Sequence, residues 1–452
     1  MTARWRPTRA LGRAAAVGLA MLAFGAGLGR GDLAVAGVPL LAVVVWSLVT
    51  APRHAPRITS RLDTRVVREG ESLTWRVDVE SVPGLRDVVA HLAGDRWTRT
   101  VPVHGHVAAT VERARDGSAP DTPVAISAEA VRWGVRRLGP AQVVAFSDLA
   151  GFAWVSPEQR VESVSSVPRP GLFASRAALP HPVGLVGQHR STRPGSGTEL
   201  ADIRAFRTGD RLRRIHWPVS LRTGTLHVTT AYADQDAEVR LVVDGLRDLG
   251  EHDAATGASS SLDTAVEAAG ALAAHYLSTG DRVGLSVLGG AGLVEVPAVG
   301  GNHQLTRLLL ALGRAEPSTG TIGEERALRA QLGRAVPPGA VVVILSALVS
   351  AEPLAHAVRL ARSGHVVIVV DTLPESLGGR HPAPEELRAA TGVEDDDRTA
   401  SLVWRLRLLD REREVRRCAA AGVPVVRWRG PGSLDLVLRG VGRRARGAGT
   451  PR

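Results

Sequence analysis

The residues best suited to chemistry cluster in one stretch, Gly197 to Leu226. Arg204, Arg207, Asp210, Arg211, Arg213 and Arg214 crowd together, and His216-Trp217 follows at once. Asp210 is able to take a guanidinium through two parallel hydrogen bonds. Arginines interleaved with Phe206, Ile215 and Trp217 suit cation–π stacking. The segment therefore reads as a paired ionic network over an aromatic anchor. Trp217 and Ile215 are expected to be buried, locking the soluble domains together; the competing reading makes the segment an interaction face. A hydrolase is the other alternative, with His216 as general base, Ser220 as nucleophile and Asp210 as orienting carboxylate. That alternative rests on proximity in sequence only, and no nucleophile-elbow motif accompanies it. On this reading the chain carries no recognisable catalytic constellation and is not an enzyme.

A second set of polar residues sits at the ends of apolar runs. Asp244 ends Val239–Val243, Ser346 ends Val341–Leu345 and Asp371 ends Val366–Val370. In open parallel sheets, ligands bind beyond the carboxyl ends of the strands. The first of these ends resembles the metal-binding loop of the von Willebrand factor type A domain, whose Asp-x-Ser-x-Ser pattern holds magnesium. A hard cation of this size wants carboxylate, hydroxyl and water oxygens in an octahedron. Here the stretch reads Asp244-Gly245-Leu246-Arg247-Asp248, with Leu246 in place of a hydroxyl and Arg247 adding positive charge. The expectation is an intact fold with a lost site. No metal or other cofactor is expected, and Asp244, Asp248 and Ser346 are the weak candidates for magnesium.

These residues need elements to position them. From residue 236 onward, strand-like and helix-like runs alternate. Helical spacing marks Ser261–Ser278, Gln304–Leu312 and Ser401–Ala420, and strands are expected at Val283–Leu288, Leu293–Val296 and Val423–Trp428. Such alternation predicts a mostly parallel sheet with helices on both faces. Asp281 and Arg282 are expected to turn the chain into the second strand. Between Ile58 and Pro170 the pattern is different. Short period-two runs such as Leu73–Val79, punctuated by Gly70, Pro83-Gly84 and Asp116-Gly117, predict a small β-sandwich or barrel. His104 and His106 are expected to be two exposed polar residues on one strand face.

The amino end is apolar. Ala14–Gly29 and Leu33–Ala51 predict two helices joined by a tight turn at Arg30-Gly31-Asp32. The second, at about 28 Å, suits a hydrocarbon core. Arg4, Arg6, Arg9 and Arg13 precede the pair, and Arg53, Arg57 and Arg61 follow it. By the positive-inside rule both ends face the cytoplasm, which places the soluble domains inside the cell (inner/plasma) membrane. A cleaved signal peptide ending near Ala34-Val35-Ala36 is the competing reading.

Composition removes several chemistries. All 56 basic side chains are arginine, so no lysine is present for a P-loop, a kinase strand or a Schiff base. Arginine without lysine reflects GC-rich coding, so the net charge of +11 does not imply nucleic acid. The charge sits at the ends: residues 1–61 hold eight Arg and one Asp, residues 429–452 hold six Arg and one Asp, and the body between sums to −1. No nucleic-acid partner is expected, and the basic tail is expected to meet anionic lipid at ~1 kcal/mol per arginine. The single cysteine, Cys418, excludes an internal disulfide and is read as a small buried hydrophobe.

The central stretch closely resembles the signature of the bacterial family catalogued as domain of unknown function 58. The matching positions are Arg204, Gly209, Asp210, Arg213, Ile215, His216, Trp217, Arg222, Gly224 and Leu226. Phe206, Pro218 and Leu221 depart from the usual Tyr, Lys and Ala. Upstream, Arg132–Pro140, Asp148–Phe152 and Val167–Pro170 resemble further stretches of the family. The signature and interaction network expected here comprises Arg204, Arg207, Gly209, Asp210, Arg213, Arg214, His216, Trp217, Arg222 and Gly224. The resemblance implies a multidomain order: a membrane hairpin over 1–56 with spans about 14–29 and 33–51, then a β-rich domain over 57–170. The signature segment covers 171–235, a degenerate von Willebrand factor type A-like α/β (Rossmann-like) domain 236–440, and a basic tail 441–452. It also implies a membrane-anchored, non-enzymatic interaction or adaptor role in a bacterial envelope or ATPase-associated chaperone system. MoxR-type AAA+ ATPases and transglutaminase-like membrane proteins are the partners it suggests.

Overall fold

The computed structural model describes residues 4–111, 122–157, 160–171, 194–207, 212, 215–232, 238–253, 256–278, 280–290, 292–318, 327, 331, 336, 340–378, 382–393 and 396–434. The chain divides into two compact units, Met1–Pro168 and Arg169–Arg452.

The first unit opens with a two-residue strand, β1 (Arg6–Pro7), and two helices, α1 (Arg9–Gly27) and α2 (Gly31–Val49). Both are long and apolar enough to cross a membrane. Each starts earlier than the apolar runs suggest, and for α1 a cap sets the start. The Thr8 hydroxyl accepts the Leu11 N–H at 3.2 Å, so the helix begins at Arg9 and carries Arg9 and Arg13 on its first turns. The helices pack through small residues: a Cβ on Gly37 would lie 2.9 Å from the Gly18 carbonyl. Arg30 and Asp32 pair at 2.6 Å across the turn.

The rest of this unit is a pair of sheets. One is four-stranded, in the order β2 (Ile58–Leu62), β4 (Ser72–Val79), β8 (Thr122–Ala130), β6 (Thr98–Val101). The other runs β1, β10 (Phe152–Val155), β9 (Gly134–Ser147), β11 (Glu162–Val167), β3 (Val66–Arg68), with β5 (Leu85–Gly94) and β7 (His106–Thr110) joined to it through β9. The alternation read from the sequence is physical: Leu73, Trp75, Val77 and Val79 of β4 turn inward. They share one core with Ile126 of the same sheet and Val88, Val143, Trp154 and Val164 of the other. The helical hairpin is fixed to this sandwich. β1 pairs antiparallel with β10, and the Trp5 indole donates to the His54 carbonyl at 2.8 Å. Gly84, at φ +88°, lets its loop approach the end of α2, where a Cβ would sit 2.7 Å from the Thr50 carbonyl.

His104 does not share a strand face with His106. It lies at φ 65° in the turn before β7. His106 instead stands opposite His91 of β5, their rings stacked with centroids 4.3 Å apart. Burial, and secondarily the charge of His106, hold the His91 pKa below its ordinary value. A histidine depressed in the fold stabilises it above the unfolded pKa and loses that contribution as pH falls through the folded one. The sandwich is therefore expected to unfold at lower denaturant at about pH 5 than at about pH 7.5. His91→Gln should shrink that difference, and denaturant unfolding of the full chain at the two pH values measures it.

The second unit contains a two-stranded ribbon, β12 (Pro194–Ala205) with β13 (His227–Tyr232), and a short helix between them, α3 (Trp217–Thr223). Beyond it lies a six-stranded sheet: β14 (Glu238–Asp244), β15 (Arg282–Gly289), β16 (Gly292–Val299), β17 (Val341–Ser346), β18 (Val366–Asp371) and β19 (Val425–Arg427). Its spatial order is β16-β15-β14-β17-β18-β19, and only β16 is antiparallel. The near-continuous burial of β14, β17 and β18 is what a sheet covered on both faces requires. The accompanying helices are α4 (Ser261–Ser278), α5 (Asn302–Leu312), α6 (Glu352–Arg362), α7 (Glu375–Gly378), α8 (Pro384–Thr391) and α9 (Asp397–Ala420). Cys418 is buried in α9, its thiol pointing at the Leu354 carbonyl at 3.6 Å, and burial pushes its pKa up.

Candidate functional site

The signature segment is a hairpin with a helix standing on it. Ile215 bridges to Val228, and His216 exchanges backbone contact with His227, whose carbonyl accepts the His216 N–H at 2.8 Å. His216 then caps α3: its Nδ1 accepts the Val219 N–H at 3.3 Å, which places the proton of the neutral ring on Nε2. Gly224 ends the helix at φ 68°, the left-handed position that glycine occupies without strain. Ser220 is buried beneath. Its hydroxyl donates to the His216 carbonyl at 3.0 Å and accepts the His227 N–H at 2.9 Å. The Ser220 hydroxyl thus meets the backbone of His216 and not its imidazole. Both of the hydrolase candidates in view hold the hairpin together.

The helix turns its apolar residues outward. Trp217 is 59% exposed and Leu221 is 80% exposed, one turn apart on the same face. This corrects the expectation that Trp217 is a buried anchor; Ile215 is half-buried. The physical reason is size. A two-turn helix has one face for the ribbon, and Ser220 occupies it, so residues on the far side have no core to enter. Leu212 and Leu226 are exposed nearby in sequence. Arg204 donates to the Ala205 carbonyl at 3.1 Å, while Arg207 and Arg222 are exposed. Gly209, Asp210, Arg213 and Arg214 lie outside the described residues, as does the basic tail 441–452.

At the carboxyl ends of the parallel strands, two of the three metal candidates meet. The Ser346 hydroxyl donates to Asp244 Oδ2 at 2.8 Å, and the Leu348 N–H donates back to Ser346 at 3.1 Å. Asp248 serves elsewhere: its Oδ1 accepts the Ser261 hydroxyl at 3.2 Å and the Leu262 N–H at 3.0 Å, capping α4 from across the loop. Asp371 pairs with Arg411 of α9. Among the described residues, the candidate donors left for magnesium are one carboxylate and one hydroxyl already bonded to each other. They do not fit an octahedral cation. Among the described residues, no cluster of three His, Cys, Asp or Glu side chains has metal-holding geometry.

Next to these strand ends lies a cavity of about 600 Å³, bounded by the loops after β14 and β17, the end of α8 and Arg407 of α9. It opens where β14 and β17 are neighbours but their chains run to opposite edges of the sheet. This switch point is where such sheets leave room for a ligand. Arg247 projects there, exposed. The residue types give no warning of this cavity. Arg407 reads as one of many arginines on a solvated helix, and only the sheet order brings it to Arg247.

A pair of apolar helices able to cross a membrane, a β-sandwich and a mostly parallel α/β sheet thus follow one another along the chain. Residues 202–381 match the family described as Protein of unknown function DUF58. Uncharacterized protein Rv1480 of Mycobacterium tuberculosis is 30% identical over 190 residues, which is 42% of this chain and 59% of the relative. Uncharacterized protein Mb1516 of Mycobacterium bovis matches with the same figures. The chain therefore spans just under three-fifths of these relatives' length. Among solved structures, the second type II cohesin module of the adaptor ScaA scaffoldin of Acetivibrio cellulolyticus covers 21% of this chain and 80% of its own, at 10% identity and a TM-score of 0.17.

Proposed function

We propose that this protein is a membrane-anchored, non-enzymatic interaction protein whose signature helix α3 docks a protein partner. The observation that carries the reading is the outward pair Trp217 and Leu221, held on a helix whose two ends His216 and Gly224 fix in place. Exposed tryptophan on a rigid element is the residue type that most often dominates interface energy. The six-stranded sheet, with Asp244 bonded to Ser346 where a cation would otherwise sit, supports a degenerate von Willebrand factor type A-like domain as the scaffold. The arginines flanking the helical hairpin support a cytoplasmic location for both soluble parts. A MoxR-type AAA+ ATPase is the partner the family resemblance favours, with a transglutaminase-like membrane protein second.

The test uses the full chain in its own membranes, with a photo-cross-linking residue at Leu221. A discrete protein adduct is expected, and Trp217→Ala should reduce it by roughly tenfold or more, the effect of losing an interface hot spot. Far-UV circular dichroism and thermal unfolding of the variant should match the parent, because Trp217 contributes little to the core. No protein adduct, or an adduct indifferent to Trp217→Ala, overturns the reading. Mass spectrometry of the adduct identifies the partner.

A further inference from the structure

The cavity at the strand ends has an unusual electrostatic lining. Arg247 and Arg407 both face it. Arg407 gives one N–H, from Nη1, to the Ala390 carbonyl at 2.8 Å. Among the described residues, neither guanidinium has a carboxylate partner. Two arginines of this unit with little exposure do have one: Arg240 pairs with Glu238, and Arg411 with Asp371. The acid nearest in sequence, Asp248, also lines the cavity, but its Oδ1 is taken by Ser261 and Leu262 at the start of α4.

Several backbone donors of the loops beside the cavity are already engaged. The Gly245 N–H goes to the Leu288 carbonyl at 2.7 Å and the Leu246 N–H to Asp244 at 3.4 Å. The Leu249 N–H goes to Ser261 at 2.8 Å, and the Leu348 N–H to Ser346 at 3.1 Å. A phosphate site is typically a nest of free backbone N–H groups, often at a glycine-rich turn. Among the described residues, the lining of this cavity contains no glycine. What it offers is two guanidinium groups, which match a flat carboxylate through paired hydrogen bonds. Leu246, Leu249, Pro317 and Val349 add apolar wall on either side. That lining suits a side chain arriving on a peptide better than a small inorganic ion.

We propose that the strand-end cavity is a second binding site, in which Arg247 and Arg407 receive a carboxylate from an acidic peptide segment of a protein partner. The site is separate from the Trp217 helix and does not depend on it.

The probe is a fluorescein-labelled hexaglutamate peptide, titrated against the full chain in detergent at low salt and followed by anisotropy. Saturable binding is expected. Arg247→Gln and Arg407→Gln should each weaken it by roughly tenfold to a hundredfold, the value of a charge-assisted hydrogen bond. Arg405→Gln removes the same charge from an exposed position on α9 and should leave binding unchanged. Arg247→Glu sits on an exposed loop where it does not threaten folding, and it should abolish binding. Glutarate should compete, and inorganic phosphate at the same concentration should not. The proposal fails if Arg405→Gln costs as much as Arg247→Gln, since binding would then follow net charge alone. It fails equally if both cavity variants bind as the parent does, or if phosphate competes as well as glutarate.

Discussion

Replacing Trp404 by alanine is expected to destabilise the second unit by about 3–5 kcal/mol, the range for deleting a large buried side chain. Trp404 is 1% exposed, on α9, and its indole donates to the Leu377 carbonyl at 3.0 Å. It sits in a cluster with Leu249, Leu373, Leu377, Leu387 and Ala390. The alanine variant therefore loses apolar contact, opens a cavity and strands a buried carbonyl. Trp404→Phe retains most of the volume and loses chiefly the hydrogen bond, so it should cost about 1–2 kcal/mol. Denaturant unfolding of the two variants separates the contributions. An alanine variant within about 1 kcal/mol of the parent would show that the cluster closes around the gap, contrary to the general resistance of packed cores to repacking. Leu249 and Ala390 belong to this cluster and also line the strand-end cavity. Peptide binding should thus weaken in the alanine variant even where the protein remains folded.

Gly289→Ala is expected to cost about 3 kcal/mol, at the upper end for overpacking. A Cβ at this position would lie 2.3 Å from the Glu316 carbonyl oxygen and 3.1 Å from that of Gly245. Both are backbone atoms, so no side chain can rotate aside. The Gly290 N–H donates to the same Glu316 carbonyl at 2.7 Å, which holds the two segments together. Relief requires moving Glu316 and with it Pro317, one wall of the cavity. Gly292, across the β-hairpin turn, has no atom within 4 Å of the place a Cβ would take and serves as the control. Gly292→Ala should leave the unfolding midpoint within about 0.5 kcal/mol of the parent. Equal effects at the two glycines would refute the steric account.

How legible the fold is in the sequence depends on how local each signal is. The helix at Ser261–Ser278 has the predicted bounds, because Leu262, Val266, Ala269, Leu272, Ala273 and Tyr276 repeat at helical spacing and are all buried. The apolar strands β17 and β18 announce themselves as continuous runs. Helix α6 escapes such a reading although Leu354, Ala357 and Leu360 recur three residues apart and Pro353 sits in its first turn. Its charged residues and histidine dilute the pattern. Strand β1 has two residues and no periodicity to detect; only β10 makes it a strand. The candidate sites are less legible still. Hydrophobicity scales place a tryptophan inside, but α3 is too small to give Trp217 an inside. Asp248 reads as a degenerate metal ligand, and only the fold shows that it caps a helix beginning at Ser261. The pairing of Asp244 with Ser346 spans 102 residues, a distance over which sequence spacing carries no geometry.

The strand pair at the edge of the sandwich constrains how the chain is inserted during synthesis. Residues 6–7 come before the first helix and residues 152–155 come after the second, yet they hydrogen-bond as neighbours. A β-ladder cannot reach across a hydrocarbon layer about 30 Å thick. If the hairpin spans a bilayer, the segment ahead of α1 is retained on the side where the sandwich folds, whatever the flanking charges direct. Redistributing arginines to pull that segment across would sacrifice the β1–β10 ladder and the Trp5–His54 bond. With the hairpin in a bilayer, the β1–β10 ladder, which forms only after residue 155 has been made, fixes the topology independently of charge.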